Sequence, residues 1–321
     1  GRGLQILYPR FKSGCRLHFY LQLIEYNKFF CFYICLRMWG NQNTDVGRTY
    51  FPNSRSISHS LYILFRKELV HMKFLKTSFI PDSDVSLAMV DYRISPEIEE
   101  SLNKIGIECL KTVRCPELYD AVDGHPDMLM FHIGGNRIVL APNVYEKMAP
   151  IIEKKGFAVT KGATWLVRNY PGNIAYNVLR IGKTAFHNIR HTDAEIIKAL
   201  EKENVKMLNV NQGYTKCSVC ILNDNTIITS DEKISEIAEK NGIESFLTKP
   251  GGIDLKGMNY GFLGGASGLV SKNKIAFTGS LYTLEDNRKL IDYINKKGFE
   301  IVHLSKGRLM DYGSILPLKC R

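Results

Sequence analysis

The chain has 321 residues, 45% of them hydrophobic and 23% charged, which excludes small disulfide scaffolds, collagen-like or fully disordered chains and polytopic membrane proteins. The formal net charge of +11 is unevenly spread: residues 1–71 hold 10 Lys and Arg against 3 Asp and Glu, or +7, leaving +4 for the other 250. A body that close to neutral carries no electrostatic footprint for nucleic acid.

The first 71 residues contain 14 of the 34 aromatic side chains and three of the eight Cys, with no sustained helical or strand period, so no fold is read from them. Met72-Lys73 stands immediately before the first well-patterned segment. We therefore expect Met72 as the natural start and residues 1–71 as an unstructured or spurious extension. The competing reading, a membrane anchor around Leu17–Met38, is interrupted by Glu25, Lys28 and Arg37 and lacks the apolar core and cleavage site of a signal peptide. The expectation is a cytoplasmic protein with no membrane partner, whose five remaining Cys are reduced thiols.

From residue 72 onward one domain is expected, and its pattern repeats. Ser95-Pro96 starts a helix with Ile98, Leu102 and Ile105 on one face, ending at Gly106. Asn143 with Glu146 starts a second, ending at Gly156 and expected to kink at Pro150. Thr192 with Glu195 opens the third as a capping box, Ser230-Asp231 the fourth, and Thr283 with Asp286 the fifth; these end at Asn204, Gly242 and Gly298. After each end comes a β-branched or aromatic run: Ile107–Val113, Phe157–Thr160, Val205–Val210, Ile243–Leu247 and Phe299–Leu304. Two further strand-like runs precede each later helix, such as Met128–Ile133 with Ile138–Ala141, and Cys217–Leu222 with Thr226–Thr229.

The unit is therefore strand, strand, helix, strand, repeated five times, which argues against a doubly wound nucleotide-binding sheet with one strand per helix. The first unit has only Val85–Val90 ahead of its helix, and a surplus strand, Ser314–Leu318, follows the fifth. Pairing the surplus strand into the first unit closes a ring and leaves no open sheet edge. The expected fold class is α/β, a closed five-unit α/β propeller.

In such a ring the loops leading into the first strand of each unit converge near the axis. They read Gly124-His125-Pro126-Asp127, Tyr170-Pro171-Gly172-Asn173, Gly213-Tyr214-Thr215-Lys216-Cys217, Tyr260–Gly265 and Asp311-Tyr312-Gly313-Ser314. Together they offer a thiol nucleophile, a general acid/base and carboxylates for a cationic group.

On these residues the chain resembles the pentein fold, the guanidino-group-modifying superfamily of deiminases, amidinohydrolases and amidinotransferases, and within it a clostridial-type, DUF6873-like branch. The resemblance covers roughly residues 74–321. It implies Cys217 as the nucleophile attacking an amidino carbon, His125 as general acid/base and Asp127 as the carboxylate that binds the guanidinium. It also places Asp311 on the family's first acid of another loop, Ser314 where a second acid is usual, and no acid within Phe262–Gly265. Asp311, Ser314 and Asn173 are the candidates for substrate binding. The implied function is a cysteine-dependent hydrolase or transferase acting on a C–N group of a small guanidino or related molecule, without cofactor or metal.

The residues leave alternatives open. Cys217 and Cys220 form a lone Cys-x-x-Cys, without the second pair of a zinc site, and both thiols fit a packed core equally well. His125 before Pro126 is also a turn residue, and Asp311 an ordinary turn acid. His132, His187, His191 and His303 are read as surface or core residues, and Gly261–Gly268 as a place of close backbone packing. The alternative function is a non-catalytic ring that binds a protein or ribosomal partner.

Overall fold

The computed structural model describes residues 73–321 and, before them, the backbone of three strands. Those strands belong to a separate unit, Gly1–Arg66: Arg16–Tyr26 pairs antiparallel with Phe29–Trp39, and Gln5–Ile6 pairs antiparallel with the first of them. The aromatic content that gave no alternating pattern still favours extended backbone. The expectation of a spurious extension otherwise concerns positions outside the described residues. Among the described residues, no helix is long and apolar enough to cross a membrane.

In the unit Lys67–Arg321 the five expected helices are present, at Pro96–Lys104, Pro142–Glu153, Ala194–Lys202, Glu232–Lys240 and Asn287–Lys296. Each stops where the backbone turns left-handed, at Gly106, Gly156, Asn204, Gly242 and Gly298, a conformation Gly adopts without a Cβ penalty and Asn tolerates. Several starts differ from expectation. Pro142 at the first position, not Asn143, begins the second helix; the Asn143 amide is instead engaged with both backbone groups of Leu166. That helix runs through Pro150 to Glu153. Asp193, rather than Thr192, caps the third by accepting from the Glu195 N–H. Asp231 caps the fourth. Thr283 lies in a separate 3₁₀ turn, and Asp286 precedes the last helix without capping it, because its carboxylate accepts from Thr248 and Lys249.

Each helix is followed by a strand that pairs parallel with the strand before the helix, which in turn pairs antiparallel with a preceding one. Unit two is Met130–Gly134, Arg137–Leu140 and Ala158–Lys161; unit four is Val219–Asn223, Thr226–Thr229 and Glu244–Leu247. Units three and five repeat the order, ending in Lys206–Asn209 and Glu300–His303. In unit one Val85–Val90 pairs parallel with Glu108–Lys111 and antiparallel with Leu316–Cys320, itself flanked by Lys73–Phe74. The surplus strand thus does serve the first unit, two residues later than expected. Val85–Val90 is buried along its whole length, as its near-continuous apolar run requires.

Neighbouring units touch through the first strands of their sheets, as between Val219–Asn223 and Ser267–Ser271, and between Ser267–Ser271 and Leu316–Cys320. The fold is a mixed α/β arrangement of several small sheets and helices.

Candidate active site

Two single helical turns, Pro126–Leu129 and Thr215–Ser218, carry the candidate side chains. The sequence reads Cys217 as the first residue of a strand and Asp127 as the last of a loop; each instead lies in the helical turn before the first strand of its unit. Apolar runs such as Met128–Ile133 look the same in either state until backbone partners are known. His125 precedes Pro126 with extended backbone, φ −60° and ψ 119°, as a residue before proline prefers. The turn at Cys217 is fixed from unit three. The Asn177 carboxamide oxygen accepts from the N–H groups of Lys216 and Cys217 at 2.8 and 3.2 Å, and the Asn177 carbonyl accepts from the Thr215 hydroxyl at 2.6 Å.

These turns bring the thiol, the imidazole and the carboxylate of Cys217, His125 and Asp127 together, with one ligand atom of each within 4.8 Å of the others. The Cys217 thiol donates to Asp127 Oδ2 at 3.2 Å and accepts from Asn177 Nδ2 at 3.0 Å. Asp127 Oδ1 and both ring nitrogens of His125 have no protein partner although buried, and buried polar atoms of this kind ordinarily find one. Asp311 stands behind the imidazole, with Oδ1 3.8 Å from Nδ1. Its two oxygens accept from the N–H groups of Gly313 and Phe262, each at 2.9 Å.

Burial decides the protonation of the group. It lowers His125 to about 4, against the pull of the Asp127 carboxylate. It pushes the Cys217 thiol well above its usual range, helped by Asp127 and Asp311, and raises Asp311 to about 7, with Asp127 again adding to the effect. At neutral pH the resting pair is thus a neutral thiol beside a neutral imidazole. A cavity of about 250 Å³ opens onto Cys217, His125 and Asp311, near the lower end of small-molecule pockets, about 300 Å³ upward. The same three atoms of His125, Asp127 and Cys217 form a donor set of the kind Zn²⁺ takes, where the sequence reading expected no metal.

The other expected residues sit further back. Ser314 has a left-handed backbone, φ 77°, and its hydroxyl reaches Asp127 Oδ2 at 2.7 Å and the Gly264 carbonyl at 2.9 Å, so it supports the carboxylate rather than lining the cavity. Asn173 is buried and donates to the Tyr214 hydroxyl at 3.0 Å and to the Arg168 carbonyl. The glycine-rich run packs closely, as expected: a Cβ on Gly265 would lie 1.9 Å from Asp311 Oδ1, and one on Gly264 2.3 Å from the Val219 carbonyl.

Two contributors escaped the sequence reading. Lys216 is buried and donates to the Ser314 hydroxyl at 2.8 Å, and burial lowers its pKa. It extends the chain of hydrogen bonds to Lys216, Ser314, Asp127 and Cys217, and places a cation where the loop pattern showed only an acid replaced by serine. Asn177 lies outside every lead-in loop, and nothing in its surroundings in sequence marks it. Asn177→Asp keeps the acceptor for the two N–H groups but sets a second carboxylate against the sulfur. Alkylation of Cys217 by iodoacetamide at pH 8 is expected to slow about tenfold or more, with a fall in Tm because the added carboxylate is buried; an unchanged rate in the folded variant would show that the amide does not tune the thiol.

Comparison with curated proteins finds no match. Among solved structures, the chain is similar to an inosamine-phosphate amidinotransferase from Streptomyces griseus, at 13% identity and a TM-score of 0.48, over 76% of this chain and 97% of that one. Residues 89–316, which hold all five helices and the Cys217, His125 and Asp127 cluster, match DUF6873, a family of unknown function, and the chain belongs to that family.

Proposed function

We propose that the protein is a cysteine-dependent hydrolase or transferase of the guanidino-modifying kind, acting on the amidino carbon of a small cationic molecule. On this reading the five sheets close into a pentein ring. Contacts between successive first strands, the Leu316–Cys320 strand in unit one and the Gly135 N–H donating to the Leu75 carbonyl at 2.7 Å support that closure. One observation carries the chemistry: the Cys217 thiol is bonded to Asp127 beside an imidazole whose nitrogens are free, at the floor of a cavity.

A bound amidinium supplies the positive charge that Asp127 and Asp311 lack, and its field favours the thiolate at Cys217. His125 takes the thiol proton, and the sulfur attacks the amidino carbon. The imidazolium returns that proton to the departing nitrogen as the C–N bond breaks, leaving an amidino group on sulfur. Water, or an acceptor amine, then adds to the same carbon with His125 taking its proton, and the C–S bond breaks to regenerate the thiol.

The test is 2-chloroacetamidine, an electrophile carrying the amidinium charge. It is expected to label Cys217 faster than the neutral chloroacetamide, and a guanidine panel is expected to release ammonia, urea or an amine. Binding of methylguanidine is expected to strengthen as pH rises toward about 7, because the cation must displace the proton on Asp311, by at most about tenfold per unit, and to level above. Protection of Cys217 from labelling across pH 5–9 reads this, on an order-of-magnitude scale; a flat profile would detach Asp311 from cation binding.

The raised pKa of the Cys217 thiol, together with Ser314 at the position of a second acid, favours a second reading, a non-catalytic ring with a structural thiol. Labelling separates the two: a structural thiol reacts no faster with the cationic electrophile than with the neutral one.

A further inference from the structure

The cavity walls carry information about the rest of the substrate. Cys217, His125 and Asp311 line the cavity, and Asn259 is the one amide among the other lining residues. Among the described residues, no Lys or Arg lines it. Of the nearby cations, Lys216 donates to Ser314 and the Gly264 carbonyl, Arg93 is held by Asp91, Asp123 and the Ala121 carbonyl, and Lys256 is exposed on the loop between the lining residues Leu255 and Met258. A carboxylate carried in beside Asp311 would therefore be desolvated with no lysine or arginine among the lining residues to pair it, which is strongly unfavourable.

The remaining wall is aromatic and aliphatic. Tyr214 faces Phe262, their ring centres 6.4 Å apart, and Phe262 meets Tyr260 edge-on at 6.2 Å. Tyr260 and Met258 are about half exposed, at 46% and 50%, at the mouth of the cavity. They belong to an arm fixed at both ends. Ile253–Asp254 pairs with Leu309–Met310, the Gly261 N–H returns to the Ile253 carbonyl at 2.8 Å, and the Phe262 N–H donates to Asp311 at 2.9 Å. Asp311, which receives the cationic head, thus also positions the rings that would receive the tail. A planar cation suits such a wall as well, since aromatic faces attract it.

We infer that the site takes a guanidine or amidine with an aromatic or aliphatic tail and no carboxylate, and not a free guanidino amino acid. This rests on the reading of the preceding subsection. The test uses the full chain and measures how 2-phenylethylguanidine, methylguanidine, 3-guanidinopropionate and L-arginine slow labelling of Cys217 by 2-chloroacetamidine. Half-protection by 2-phenylethylguanidine is expected at a concentration about tenfold or more below those for the two carboxylate-bearing compounds. Tyr260→Ala and Met258→Ala, both at exposed positions, are expected to raise that concentration several-fold and the methylguanidine value by much less. Equal protection by L-arginine, or a 2-phenylethylguanidine value that neither substitution moves, would overturn the inference about the tail while leaving the thiol chemistry standing. Labelling that no compound slows, methylguanidine included, would instead overturn the guanidino chemistry proposed for Cys217, and the tail with it.

Discussion

Cys217→Ser is expected to abolish labelling by 2-chloroacetamidine and to lower turnover of any guanidine substrate by about 10³-fold or more, the scale on which enzymes lose activity when the attacking atom is replaced. The substitution is nearly isosteric, and both contacts survive it: the serine hydroxyl can donate to Asp127 and accept from Asn177 as the thiol does now. What is lost is the ease of forming an anion, because an alkoxide beside two carboxyl groups is far less accessible than a thiolate. Cys220→Ser supplies the control. Cys220 is fully buried in the strand Val219–Asn223 and does not line the cavity at Cys217, so the variant should keep its labelling. If Cys217→Ser retained turnover, covalent chemistry at this sulfur would be excluded; if Cys220→Ser lost labelling, the two thiols would be coupled in a way this geometry does not provide.

The largest effect on stability is expected at Asp193. Its carboxylate is wholly buried and accepts from the N–H groups of Ala163, Thr164 and Glu195 and from the Tyr176 hydroxyl, at 2.7 to 3.2 Å. One side chain therefore caps a helix and ties down the loop that leads to Tyr170–Asn173. Asp193→Ala leaves three backbone donors without an acceptor, a loss of about 3–5 kcal/mol, or a fall in Tm of about 10 °C for a domain of this size. Asp193→Asn keeps one accepting oxygen and should recover part of it. A calorimetric Tm for Asp193→Ala within a degree or two of wild type would refute this.

How much of this was legible in the sequence depends on the range over which each signal acts. The five helix ends were legible because a left-handed residue is a local requirement, met by Gly or Asn whatever surrounds it. Helix starts were less so: Asn143, Thr192 and Thr283 all have capping chemistry, but Asn143 is engaged with Leu166, a partner far along the chain that leaves no local mark, and Thr192 with the nearby His187 instead. The same limit applies to the site. His125, Asp127 and Cys217 were found as residue types on converging loops, yet their secondary structure was misread, because one turn of helix before a strand has no period of its own. Asn177 and Lys216 were missed altogether, the first because its role is to hold another unit's backbone, the second because a lysine in a loop is ordinarily solvated.

Leu316–Cys320 completes the sheet of Val85–Val90 across more than two hundred residues of chain. As the polypeptide leaves the ribosome, units two to five can each pair their own strands, while Val85–Val90 must wait with one edge bare until Leu316–Cys320 has been made. The nascent chain is therefore most exposed to strand-swapped association with a neighbouring copy during that interval. Translation that halts before Leu316 would release a product whose defect lies at the opposite end from the missing residues.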